Sequence, residues 1–401
     1  MDLFLQMGFG MKEHSLKLIK EWNGGTILLS PRDMTLKQME ILSKDIKKEG
    51  GNVLIDPQFY LPRADHDKLI VHSFWPHEYE TKSFFSKSGI KDMLKTLWND
   101  YNMKLGASFF ILPGTFSSII DDDWKSLNDL VVETSLEISI SVPLYATLCL
   151  SSDVLRSEDQ IHEILEHVGS WNVAGFYVVA QHPKGQYMVE DALWVTNLLD
   201  LCAGLKIINK KVIVGYSNHQ QFCLAAAKVD AIASGTWRNV RMFPLEKFNN
   251  PEEDAVSRRT TWYYCPQALS EYQITFLDIA QKAGILDRLK TNSSFQSNYA
   301  DILFEGAQPT SVNFQEKNAF RHYLQCLKIQ SKYSSRSSFK ETINGLLMQL
   351  EATNQLLKDF RSKGVRGGYR DFFEVIDINI SALDMFKNIR GFILDKKWNS
   401  I

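Results

Sequence analysis

The sequence predicts an α/β fold: a parallel (β/α)8 TIM barrel followed by a C-terminal α-helical domain. Three observations carry this. Eight short apolar, β-branched or aromatic runs alternate with amphipathic helical stretches from the first residue to about residue 290. The runs are apolar on both faces, as strands covered by helices inside a parallel sheet must be. Beyond residue 312 only helical periodicity remains.

The first run is DLFLQMG (2–8), which is needed as the eighth strand if the sheet is to close. GTILLSP (25–31) follows, then a helical pattern over 36–48 and NVLIDP (52–57). A helix over 90–101 precedes SFFILPG (108–114), and a helix over 124–137 precedes PLYATLCL (143–150). The acidic triplet Asp121-Asp122-Asp123 is read as the cap of that second helix. Helical stretches over 158–168, 191–201 and 220–229 then separate VAGFYVVA (173–180), KVIVGYS (211–217) and VDAIASG (229–235). A doubly wound open sheet is the alternative, but it prefers five to seven strands, and no GxGxxG follows any run. The polar, turn-rich stretch 291–312 marks the boundary between a catalytic barrel (1–290) and the tail (313–401), whose three helices are expected over 313–330, 338–363 and 369–394.

Of the 401 residues, 44% are apolar and 23% charged, which excludes a disordered chain. No run of about 18 uncharged apolar residues exists, so no membrane partner is expected. The start Met1-Asp2-Leu3-Phe4 has no basic n-region, so the expected location is cytoplasmic. Five cysteines, never closer than twenty-one residues apart, give neither a disulfide framework nor a local zinc clip. No cofactor and no metal site is expected. The net charge of −2 hides a basic tail, because residues 311–401 hold fifteen Lys and Arg against nine Asp and Glu. Lys317, Arg321, Lys328, Lys332 and Arg336 are its candidates for contact with nucleic acid, and a solvated helix face is the duller reading.

In such barrels the working residues project from the carboxyl ends of strands and the loops after them. Asp33 reads as a helix cap, and His182 and His219 as loop histidines. Asp56 and Asp230 are different, being carboxylates embedded in the apolar runs Val53-Leu54-Ile55-Asp56 and Val229-Asp230-Ala231-Ile232. Two carboxylates flanking one glycosidic bond are the chemistry such a pair suits, with an expected spacing of roughly 5–9 Å. Gln58 and Gln181 are candidate readers of a base edge. Tyr60, Tyr216 and Trp237 are candidate stacking platforms, with barrel packing as the alternative. Arg238 and Arg241 are placed to hold a phosphate.

The stretch VIVGYSNHQQFCLAAAKVDAIASGTWRNVR (212–241) resembles a segment of the tRNA-guanine transglycosylases. There a strand ending in a glycine turn is followed by a short helix and by a strand that carries an Asp and closes with Thr, Arg and Asn. The matching residues are Gly215, Asp230, Thr236, Arg238 and Asn239. The resemblance makes Asp230 the nucleophile. Likewise Ile55-Asp56-Pro57-Gln58-Phe59 resembles the family's Asp-Ser-Gly-Gly-Phe-Gln element without its two glycines, which makes Asp56 the residue that contacts the exchanged base and shuttles its proton. The family's CxCxxC-plus-His zinc site is absent from the sequence. With a basic helical tail in its place, the chain looks like divergent paralogues acting on 7-deazaguanine in DNA or in bacterial antiphage systems.

What the resemblance implies is exchange or removal of guanine or 7-deazaguanine by double displacement on a tRNA, DNA or nucleotide substrate. Asp230 would attack C1′ and Asp56 would assist the bases. Two alternatives stand beside it: a barrel hydrolase of a sugar or nucleotide, and an inactive barrel used as a binding module. A protein partner or a homodimer is compatible with the helical tail.

Overall fold

The computed structural model describes residues 1–63, 65–76, 85–249 and 260–401. All eight expected runs form parallel strands: β1 (Asp2–Gln6), β2 (Gly25–Leu29), β3 (Gly51–Ile55), β4 (Phe110–Ile111), β6 (Leu144–Leu150), β7 (Gly175–Ala180), β8 (Lys211–Val214) and β9 (Ala231–Ser234), with a two-residue β5 (Phe116–Ser117) beside β6. Their order is β3-β2-β1-β9-β8-β7-β6-β4. Strand β1 sits between β2 and β9, with Leu3 opposite Ile232 and Leu5 opposite Ile27. The remaining gap, between β3 and β4, is bridged by the Ser108 N–H donating to the Val53 carbonyl at 3.3 Å. The barrel is nearly closed.

Strand β6 is buried at every position, as are β7 and β9, because their inner faces fill the barrel and their outer faces meet helices. The helices at Leu36–Lys48 and Glu158–Val168 have the expected bounds, and that at Asp122–Leu136 is capped by the Asp121 carboxylate accepting from the Trp124 N–H. The 220–229 stretch is a 3-10 helix, His219–Ala227, rather than an α-helix. Asp33 is not a cap. Thr35 takes that role in a capping box with Gln38, because a cap must directly precede the first turn.

A β-hairpin, β10 (Trp262–Cys265) and β11 (Ser270–Gln273), lies outside the barrel sheet. The tail helices are Glu316–Ser334, Phe339–Ser362 and Ile376–Lys397. They share one apolar core with the barrel. The helix Ala192–Ile207 shows why. It is buried at every position from Trp194 to Lys206, although an outer barrel helix usually keeps a wet face. The helix Ile376–Lys397 covers it, pairing Arg390 with Asp200 (Nε to Oδ1 2.5 Å) across the contact. On the other side Trp22 Nε1 donates to Gln325 at 2.6 Å.

This packing uses part of the tail's positive charge. Arg321 is buried against Glu13 (2.5 Å), and Lys328 lies over the Trp22 ring, where burial lowers its pKa to about 8. Lys317, Lys332 and Arg336 remain exposed. Among the described residues, no helix is long and apolar enough to cross a membrane.

Candidate active site

The first turn after β3 places Asp56 at the carboxyl end of the barrel, with no exposed surface. Its carboxylate gathers five donors. The Tyr60 hydroxyl reaches both oxygens at 2.7 Å, and the Gln58 N–H reaches Oδ1 at 3.0 Å. The hydroxyls of Tyr177, from the middle of β7, and of Tyr216, just after β8, each reach Oδ2 at 3.1 Å, and Gln6 Nε2 at the end of β1 reaches it at 3.3 Å. Burial is the largest influence on this carboxyl and raises its pKa to about 6, against the opposing pull of those hydrogen bonds.

The backbone is bent to build this arrangement. Gln58 and Tyr216 both hold positive φ angles, 53° and 50°, in the left-handed region that side chains with a Cβ avoid at a cost of order 1 kcal/mol. Gln58 is fixed there by its side-chain oxygen, which accepts from Ser30 Oγ (3.0 Å) and the Arg32 N–H (2.8 Å), while its Nε2 donates to the Tyr216 hydroxyl at 3.3 Å. Ser30 Oγ also lies 2.8 Å from Asp33. Gly215 is required for a different reason. A Cβ at that position would stand 2.3 Å from the Tyr177 hydroxyl oxygen.

Aromatic rings roof the carboxylate. Tyr60 meets Phe243 and Phe248 edge-on at 5.0 Å each, and Tyr216 meets Phe243 at 5.3 Å. Arg32 Nε holds the Phe248 turn by donating to the Lys247 carbonyl at 3.1 Å. On the outer side of Tyr60 a cleft of about 780 Å³ opens, lined by Leu61, Pro62, Arg63, Asp65, Thr115, Phe116 and Asn249.

Of the residues singled out from the sequence, Asp56, Gln58, Tyr60, Gly215 and Tyr216 therefore come together. Asp230 does not. It immediately precedes β9, at the amino-terminal end of the barrel, where its N–H donates to the Val212 carbonyl and its carbonyl accepts from the Asp2 N–H. Its carboxylate is paired with Lys206 (2.8 Å) and Lys211 (2.9 Å) and accepts from the Val212 N–H (2.8 Å). Burial opposes its charge, but those partners outweigh burial and hold its pKa below the ordinary value. Asp56 and Asp230 thus lie at opposite ends of the parallel barrel and cannot flank one C1′. Their shared feature, an Asp beside an apolar run, arises at either end of a strand. Asp230→Asn is accordingly expected to lower stability by about 1–3 kcal/mol through the stranded Lys206, and to leave any activity within a few-fold. Urea unfolding and an activity assay of the variant check this together.

Of the other candidates, Gln181, Trp237 and Arg241 have structural partners. Gln181 accepts from the Ser152 N–H and Trp237 packs on Phe320 of the tail. Arg241 is buried with Glu271 (3.0 Å), lies over the Tyr323 ring, and donates to the Gly235 carbonyl, so it is not free for a phosphate. Arg238 is exposed on a separate groove of about 300 Å³ with Tyr187, Met188 and Tyr369, and Asn239 Oδ1 is buried without a hydrogen-bond partner among the described residues. His182 lies in the loop after β7, as expected, whereas His219 opens the 3-10 helix, and both are buried. Among the described residues no group of three or more His, Cys, Asp or Glu is arranged to hold a metal.

No family model and no curated protein matches the chain. Among solved structures, a glucosidase from Croceicoccus marinus is similar at 8% identity and a TM-score of 0.33, over 55% of this chain and 56% of its own. The 3-dehydroquinate dehydratase of Aquifex aeolicus VF5 is similar at 10% identity and a TM-score of 0.33, over 62% of this chain and 95% of its own. The L-Ala-D/L-Glu epimerase of Bacillus subtilis is similar at 10% and 0.30, over 66% and 58%. The chain thus spans little more than half the length of the glucosidase and of the epimerase.

Gln6 and Tyr177 escape sequence reasoning. Gln6 carries a weak signal as the one polar residue after Asp2 within an apolar strand run, but Tyr177 is a mid-strand aromatic like many others. Phe243 sits in an irregular loop and Phe248 ends a single 3-10 turn, Leu245–Phe248, too short for periodicity to mark an inward ring.

Proposed function

We propose that the chain is an enzyme in which Asp56 is the general acid–base, and that it removes a planar base from the sugar of a nucleotide or nucleic acid. One observation carries this reading. A buried carboxyl whose proton is held to about pH 6 stands at the carboxyl end of a barrel, among phenols and under aromatic rings. A carboxylic acid that keeps its proton near neutrality can give it to a leaving base, and its carboxylate can then take one from water. The cleft lined by Tyr60 and Phe116 is the natural approach for a flat ring.

The guanine or 7-deazaguanine specificity implied by the transglycosylase resemblance fits this base-handling half. The covalent half loses its nucleophile, because Asp230 is at the other end of the barrel. The mechanism that remains is a single displacement. Asp56 protonates the departing base, water adds its oxygen to C1′, and the water's proton returns to Asp56. The closed roof is the observation that favours the binding-module alternative.

Incubating the full chain with tRNA, DNA and free nucleotides labelled in guanine or 7-deazaguanine distinguishes these readings. Release of base without incorporation of fresh base is expected, and Asp56→Asn should slow release by about 10²–10⁴-fold. Undiminished release by Asp56→Asn, or no release from any substrate, would sink the proposal.

A further inference from the structure

The five donors around Asp56 suit only its charged form. A carboxylate accepts from every neighbour, but a carboxylic acid must also donate, so a site that cycles between the two needs a neighbour able to reverse its role. Gln58 N–H and Gln6 Nε2 cannot reverse. The phenols differ in what stands behind them. Tyr216 and Tyr177 are a matched pair, each 3.1 Å from the same oxygen, Oδ2. Behind Tyr216 is a donor, Gln58 Nε2 at 3.3 Å, which occupies the hydroxyl's lone pair and directs its hydrogen at Asp56. Behind Tyr177 is an acceptor, Gln6 Oε1 at 3.4 Å.

We propose that Tyr177, backed by Gln6 Oε1, is the positioning residue that lets Asp56 hold and release a proton. With Asp56 charged, the Tyr177 hydroxyl donates to it. With Asp56 protonated, Tyr177 turns its hydrogen to Gln6 Oε1 and accepts from the carboxyl. Gln6 Oε1 is thus the acceptor to which the Tyr177 hydrogen turns when Asp56 is protonated. The amide orientation of Gln6 is set by the same logic, since its nitrogen must face the carboxylate. The titratable groups facing Asp56 are Tyr60, Tyr177, Tyr216 and, from β6, Cys149; burial raises the pKa of all four. No charged side chain hydrogen-bonds to Asp56 among the described residues, so burial and the hydroxyl network between them set its proton affinity.

This inference rests on the acid–base reading of Asp56 and is tested without substrate, by titrating the Asp56 carboxyl carbon in ¹³C-labelled full-length protein. Tyr216→Phe removes a donor that serves only the charged form, so the Asp56 pKa should rise by about one unit or more. Tyr177→Phe removes a group that serves both forms and should shift it by less than about half of that. In a Gln6→Met background Tyr177 loses its second acceptor, so Tyr177→Phe there should raise the pKa as Tyr216→Phe does in the native chain. Equal shifts for the two phenylalanine variants in the native background, or no change on introducing Gln6→Met, would overturn the role of Tyr177 while leaving Asp56 a titrating acid. If the Asp56 signal does not titrate between about pH 4 and 8, the acid–base reading fails and this inference falls with it.

Discussion

Replacing Glu271 with Ala should destabilise the protein by about 3–5 kcal/mol, the usual loss when one partner of a buried ion pair is removed. Glu271 lies on β11 and is 3% exposed. Its carboxylate is held by Arg241 from the loop after β9 (3.0 Å), by Arg370 from the tail (2.8 Å) and by the Tyr187 hydroxyl from the loop after β7 (2.8 Å). Burial is the largest influence on this carboxyl and favours its neutral form, but Arg370 and Arg241 overcome it and bring the pKa down to about 2. Without Glu271 two guanidinium groups lose their counter-charge, Arg241 while fully buried under the Tyr323 ring. A folded-state pKa below the unfolded value contributes stability that is present above about pH 4.5 and is lost as pH falls toward 2. The loss on mutation should therefore be largest near neutrality and vanish in strong acid. Urea unfolding at pH 7 checks it, and a change under about 1 kcal/mol would mean that the hairpin does not tie the tail to the barrel.

This cross-link bears on how the chain divides. The composition shift near residue 312 marks where strand periodicity ends; the first two tail helices lie within four residues of their expected bounds, whereas the third begins at Ile376, seven residues later than expected, after two 3-10 turns. Periodicity reports which face of a helix is apolar but not which surface covers it. The all-apolar helix Ala192–Ile207 is the sign that something must cover its outer side, and Ile376–Lys397 does so. Arg321 and Lys328 show the same limit from the other direction. A count of basic residues cannot tell a solvated lysine from one seated over Trp22.

The site was half legible for a similar reason. A carboxylate at the end of an apolar run signals a strand terminus, and both Asp56 and Asp230 fit that signal. Which terminus it is depends on register. Asp56 follows β3, where loops converge on the barrel mouth, whereas Asp230 precedes β9, where Lys206 and Lys211 wait at the end of the preceding helix and the start of β8. Gln58 and Tyr216 could be named because they follow strand ends. Gln6 and Tyr177 could not, because their importance comes from three-dimensional convergence on one oxygen.

Acidification from pH 7 to about 4.5 should cost the protein several kcal/mol of stability, through three histidines held neutral in its interior. Burial is the dominant cause for each, lowering His182 to about 4, His219 to about 3 and His322 to about 4. Hydrogen bonds to backbone carbonyls oppose the shift without reversing it, as with His182 Nδ1 to the Gln186 oxygen at 2.9 Å and His322 Nε2 to the Tyr264 oxygen at 2.8 Å. Among the described residues His219 Nε2 is buried without a hydrogen-bond partner. Because the folded-state pKa values lie below the unfolded value of about 6.5, the unfolded chain binds the extra protons, so this stability is complete above that pH and is lost as pH falls toward 4. About two units for each of three groups amounts to roughly 8 kcal/mol at pH 4.5, comparable with the whole stability of an ordinary domain. Asp56 acts in the opposite sense. Its raised pKa makes the folded chain the tighter proton binder between about pH 4 and 6, which offsets up to about 3 kcal/mol of the loss as pH falls. The urea midpoint followed by circular dichroism should therefore fall steeply below pH 6.5, fall more steeply still in Asp56→Asn, and fall less in His219→Gln. A flat profile from pH 7 to 4.5 would show that these imidazoles reach water before they must charge.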